Sequence, residues 1–143
     1  MTKQLRRLVA LLALVAGVAT VHAAEDKANV KDLEATIDAA MKAYNAGDWK
    51  AFFKDYSKDM SAIVSELSFN AMYGPTGVMG TGKYGKFVKR QELIKDQSVL
   101  EGANVLAHWH AEFAKVKKAK ISVNFVKEDG KYKIQQVTLS EGD

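Results

Sequence analysis

The chain has 143 residues, no cysteine, and 21 basic against 17 acidic side chains, a formal charge of +4. Without cysteine there is no disulfide framework and no lipid attachment through a thiol. Three of the basic residues and none of the acids lie in residues 1–23, so the remainder carries 18 against 17, or +1, and its charge gives no support for nucleic-acid binding.

Those first residues have the form of a secretory signal peptide. Lys3, Arg6 and Arg7 make a positive start, Leu8–Val21 is an apolar run, and Val21-His22-Ala23 suits cleavage after Ala23. The uncharged stretch Leu8–Ala24 is 17 residues, shorter than the ~20 that a membrane anchor needs. The expectation is export to the periplasm or beyond, with no stable membrane anchor after cleavage. Residues 24–143 then form a single domain, long enough to bury ~65 % of its unfolded surface.

From Val30, apolar residues recur at Leu33, Ile37, Met41 and Tyr44, the stripe of one amphipathic helix. Gly47 is its natural stop and Asp48 an N-cap for a second helix, on which Trp49, Phe52, Phe53 and Tyr56 share a side. Met60, Ile63, Val64, Leu67 and Ala71 predict a third helix, although Ile63, Leu67, Phe69 and Tyr73 also alternate as a strand would. Gly74-Pro75 ends the element in either case.

The loop Gly74–Gly85 contains two nucleotide-binding patterns. Gly77-x4-Gly82-Lys83 resembles a P-loop, but Tyr84 stands where Ser or Thr would hold magnesium. Gly80-x-Gly82-x-x-Gly85 matches the dinucleotide fingerprint, yet no strand–helix–strand alternation surrounds it. The expectation is a flexible connection, with a lid as its functional variant. No cofactor is expected.

Strands follow. Tyr84–Ile94 predicts the first, Lys95-Asp96-Gln97 a turn, and Val99–Phe113 holds the central strand, starting on one side or the other of Gly102. Ala119, Ile121, Val123 and Phe125 alternate in a third, and Asp129-Gly130 favours a hairpin into a fourth. Tyr132 and Ile134 there have one parity, Val137 and Leu139 the other, so a β-bulge near Gln135–Gln136 is expected. The fold class is α+β: N-terminal helices packed on one face of a curved antiparallel sheet of about four strands.

Two segments resemble the nuclear transport factor 2-like superfamily of cone-shaped domains. Ala40–Phe53 is similar to its helix–Gly-Asp–helix opening, and Ile121–Ile134 to its final hairpin, where an Asp-Gly turn precedes an aromatic-x-Ile strand. The resemblance implies the fold and leaves the activity open, because that family includes isomerase-like and dehydratase-like enzymes, transport factors and exported domains of unknown role. The enzymes place Asp or His inside the cone, and no residue here matches such a position.

Asn104–Phe113 holds the main site candidates. Val105, Ala107, Trp109, Ala111 and Phe113 take one face of the strand, and Asn104, Leu106, His108, His110 and Glu112 take the other. His108 and His110, ~6.5–7 Å apart, could share a metal with Glu112, but two histidines leave a closed site incomplete. The apolar parity makes Trp109 the interior face and turns the histidines outward, towards solvent or a homodimer contact that protonation near pH 6.5 would weaken. Tyr44, Trp49, Phe53, Tyr56 and Trp109 are the candidates for lining a ligand pocket in the cone; as large aromatics they also suit a core. The basic residues Lys83, Lys86, Lys89 and Arg90, with Lys115, Lys117, Lys118 and Lys120, suit a solvated face, or contact with phosphates or an anionic membrane. The reading this favours is an exported non-catalytic domain that binds a small molecule in the cone or a protein partner on the sheet face. Its alternatives are an enzyme acting on a small apolar substrate, with Tyr44, Tyr56, Tyr84 or a buried carboxylate as acid or base, and a metal protein using His108 and His110.

Overall fold

A computed structural model describes residues 27–142, and the signal peptide expected at residues 1–23 lies outside the described residues. Helix α1 runs Val30–Ala46. The Asn29 side chain accepts from the N–H groups of Lys31 and Asp32, satisfying donors that a helix start leaves open. Gly47 ends the helix with φ 67°, a left-handed conformation that costs glycine little. Asp48 then caps α2, which is a single turn, Trp49–Phe52. Phe52, Phe53 and Tyr56 enter the core, while Trp49 stays half-buried.

The third helix is two helices, α3 (Lys58–Ser61) and α4 (Glu66–Tyr73), each with its own serine cap. Ser57 accepts from Met60 N–H, and Ser65 and Ser68 form a capping box. The restart resets the helical phase. Phe69 and Tyr73, four residues apart, point inward against Phe52, with ring centroids 5.2 and 4.6 Å away. Ile63 and Leu67 are 72 % and 80 % exposed, contrary to the apolar stripe expected of them. Apolar spacing misassigns this face because it runs straight through a cap.

The Gly74–Gly85 segment is not a loose connection. Its backbone bonds to itself and to α4: Gly77 N–H to Gly74 C=O at 2.9 Å, Met79 N–H to Met72 C=O at 2.8 Å, and Gly80 N–H to Gly77 C=O at 3.1 Å. A one-turn helix, α5 (Thr81–Tyr84), follows. A Cβ on Gly80 would lie 1.6 Å from the Gly74 carbonyl oxygen, and one on Gly82 2.0 Å from that of Pro75. The glycines that imitate a nucleotide fingerprint are there because backbone packs directly on backbone. Tyr84 fixes the segment to the sheet through a hydroxyl that donates to the Leu139 carbonyl at 3.2 Å.

Strands β1 (Phe87–Leu93), β2 (Asn104–Phe113), β3 (Ala119–Glu128) and β4 (Lys131–Glu141) form an antiparallel sheet in that order. β1 starts later than expected because Tyr84 belongs to α5, and the turn after it closes through a short 3-10 helix at Lys95–Gln97. Asp129 and Gly130 both have positive φ, 49° and 78°, as a two-residue hairpin requires. Asn124 pairs with Gln136 but Phe125 with Ile134, so Gln135 is the extra residue of the expected bulge. The bulge brings Ile134 and Val137 onto the same buried face despite their opposite parity. With α1 laid across that face, the architecture is α+β, helices on one side of a curved four-stranded sheet.

Candidate functional site: the two faces of the sheet

On the inner face, Trp109 is fully buried between Ala107 and Ala111, whose small side chains make room for the indole. Its N–H donates to Glu34 Oε2 on α1 at 3.0 Å, and the same oxygen accepts from Arg90 Nη1 at 2.8 Å. Arg90 also grips Asp38, through Nε at 2.9 Å and Nη2 at 3.2 Å. The Asp38 hydrogen bonds hold the guanidinium above its ordinary range, with the charges of Asp38 and Glu34 adding. This network joins α1, β1 and β2 and gives the buried N–H its partner. Glu34, Asp38 and Arg90 do not stand out in the sequence. The available signal was that a buried tryptophan needs an acceptor, and that Glu34 and Asp38 flank the Leu33–Ile37 stripe one turn apart.

Of the five residues expected to line a pocket, Tyr44, Phe53, Tyr56 and Trp109 are buried in the core and Trp49 is half-buried beside it. Tyr44 packs edge-on to Phe113 with centroids 5.9 Å apart, and its hydroxyl donates to the Gly85 carbonyl at 3.3 Å. The Tyr73 hydroxyl donates to the Val137 carbonyl, and among the described residues the buried Tyr56 hydroxyl beside it meets no partner of hydrogen-bonding geometry. Burial raises the hydroxyls of Tyr44, Tyr56 and Tyr84 and pushes that of Tyr73 up to about 12. All four stay protonated near neutral pH, which suits packing and donation better than proton abstraction.

Among the described residues, no helix covers the outer face. Its side chains form three cross-strand rows over β2, β3 and β4: Leu106–Asn124–Gln136, His108–Ser122–Thr138 and His110–Lys120–Ser140. His108 Nδ1 lies 2.6 Å from Ser122 Oγ, and the His108 N–H donates to Ser98 Oγ at 3.1 Å. Partial burial lowers the His108 pKa below the ordinary histidine value, and the Lys120 charge lowers it further. Glu112 pairs in register with Lys89 and lies 3.9 Å from the Lys117 ammonium. His108, His110 and Glu112 thus line one strand face as their spacing predicts. Among the described residues, however, no group of three His, Cys, Asp or Glu side chains converges in a way that could hold a metal ion.

Depressions open to solvent lie among the described residues. One, about 280 Å³, sits at the end of the outer face, lined by Val99, Leu106, Asn124, Phe125 and Gln135 among others. Another, about 410 Å³, separates the start of α1 from the β3–β4 hairpin and mixes Lys27, Lys131 and Lys133 with Asp32 and Asp55. Neither includes any of the five aromatic pocket candidates. No helix among the described residues is long and apolar enough to cross a membrane. No protein-family model matches the chain, and no curated protein matches it significantly.

Proposed function

We propose that this chain is an exported, non-catalytic interaction domain of nuclear transport factor 2-like architecture. It works through the open face of its sheet, and the partner that fits that face first is a second copy of the chain. The observation that carries this reading is the contrast along β2: its inner side chains are consumed by packing and one ion-pair network, whereas no helix among the described residues covers the outer rows. The support for the architecture is the helix–Gly47-Asp48–helix opening and the closing Asp129-Gly130 hairpin, both with the backbone geometry that the resemblance implies.

A second copy suits the face because its central side chains are self-complementary. Ser122, Thr138, Asn124, Gln136 and Ser140 each donate and accept, so the same surface can satisfy itself across a two-fold axis. Strands about 4.8 Å apart, three of them about 33 Å long and β1 about 23 Å, present roughly 600 Å², approaching the ~800 Å² per partner of a standard interface. Leu106 and Val99 supply apolar contact at one end. Sedimentation over a wide concentration range tests the proposal. The expected result is a reversible dimer that Thr138→Arg converts to a monomer, with the melting temperature unchanged in dilute solution, where the wild type is also monomeric. A wild-type chain that stays monomeric at the highest concentrations overturns it.

A further inference from the structure

Two stretches of the sequence are basic and free of acids. Residues 67–91 hold Lys83, Lys86, Lys89 and Arg90, and residues 113–127 hold Lys115, Lys117, Lys118, Lys120 and Lys127. The fold brings the ends of these stretches together. Ala114 N–H donates to the Lys86 carbonyl and Lys115 N–H to the Tyr84 carbonyl, both at 2.8 Å, and the Lys115 ammonium caps the Gly82 carbonyl at 2.8 Å. Gly142 N–H reaches the Lys118 carbonyl, also at 2.8 Å, which brings the end of β4 to the same place. Lys83, Lys86, Lys115, Lys117 and Lys118 are all exposed and share one end of the domain. The acids on adjoining positions are Glu112, 3.9 Å from Lys117, and Glu141, paired in register with Ala119. A chain of almost balanced charge therefore concentrates cations at a single pole.

We propose that this lysine pole docks the domain reversibly on an anionic lipid surface. The chemistry of the cations favours lipid over the other polyanions. All five are lysines, mobile point charges suited to a diffuse layer of headgroups. Arg90, the arginine of these stretches, whose fork would read phosphates bidentately, is turned inward onto Glu34 and Asp38. The exposed apolar side chain between Lys86 and Lys89 is Val88, 52 % exposed, an aliphatic group that can enter an interface. The one aromatic of α5, Tyr84, is buried, so α5 offers no platform on which bases could stack. The Gly74–Gly85 backbone packing gives the pole a rigid base, so docking needs no folding of a disordered segment.

Co-sedimentation with vesicles tests this, using the chain from Ala24 onward, which holds every described element. The vesicles are phosphatidylcholine alone or with about one-third phosphatidylglycerol, at low and at physiological salt. Each lysine near such a surface contributes roughly fivefold in partitioning. Replacing Lys83, Lys86, Lys117 and Lys118 together by Gln should therefore lower binding at least ~100-fold. Replacing Lys31, Lys42, Lys54 and Lys95, exposed lysines elsewhere, removes the same net charge and should change binding less than about tenfold. Binding that needs phosphatidylglycerol, weakens with salt and is lost only in the first variant supports the proposal. No binding at low salt, an equal loss in both variants, or tighter binding to a DNA duplex or an acidic peptide than to the vesicles overturns it. Unchanged circular dichroism in both variants ensures that a loss reports charge and not unfolding.

Discussion

The two faces of β2 share one backbone and ten consecutive residues, yet they answer to different constraints. Val105, Ala107, Trp109, Ala111 and Phe113 are all buried, each fitted to a neighbour on a helix or strand. Leu106, His108 and His110, interleaved with them, meet strand neighbours, the Ser98–Val99 segment and solvent. Substitutions on the inner face should therefore read out as stability, and those on the outer face as association. This is why the eye-catching His-Trp-His sequence is best divided: the tryptophan belongs to folding and the histidines to the surface.

The largest expected effect is on the inner face. Trp109→Ala should cost about 3–5 kcal/mol in denaturant unfolding, because it empties a large fully buried site and leaves Glu34 without its indole donor. Gly80→Ala should follow at about 1–3 kcal/mol, since a methyl group there would overlap the Gly74 carbonyl and force the backbone apart. If Gly80→Ala proved neutral, the loop would be looser than its contacts require. Arg90→Ala should cost about 1–2 kcal/mol by leaving Glu34 and Asp38 facing each other without a cation. Arg90→Lys should recover only part of that, because an ammonium cannot bridge two carboxylates with the same fork.

The smallest stability effect is on the outer face and depends on pH. The folded state lowers the His108 pKa, so the imidazole resists protonation more when folded than when unfolded. Above the unfolded value of about 6.5 both states are neutral and there is no contribution. As pH falls below it, the unfolded chain gains the proton first and stability declines until the folded histidine also titrates. His108→Gln should flatten this part of the stability-versus-pH curve and leave neutral-pH stability nearly unchanged. A curve of the same slope in the variant would assign the effect to another group.

Much of the fold was legible in the sequence because it rests on local chemistry. The Asp48 cap, the Gly47 stop, the Asp129-Gly130 turn and the parity change that implies a bulge near Gln135 all act within a few residues. What could not be read depends on which distant groups meet. The Ser65–Ser68 box that rephases α4 is local, but its effect shows only in which side of the helix finds the core. The Glu34–Arg90–Asp38 network joins residues more than 50 positions apart, and no periodicity records it. The glycines of residues 74–85 looked like flexibility because composition cannot distinguish a free loop from one with no room for side chains. The lysine pole was visible as two runs, and only their apposition makes one surface.

The most direct test of the division between faces is the titration of the two imidazoles of the chain from Ala24 onward, followed by NMR in dilute and in concentrated solution. If the open face pairs with a second copy, His108 titrates below the ordinary histidine value when dilute. Its midpoint then falls further as the protein is concentrated, because the contact removes more water from a ring already beside Lys120. A His108 midpoint independent of concentration would contradict a paired outer face.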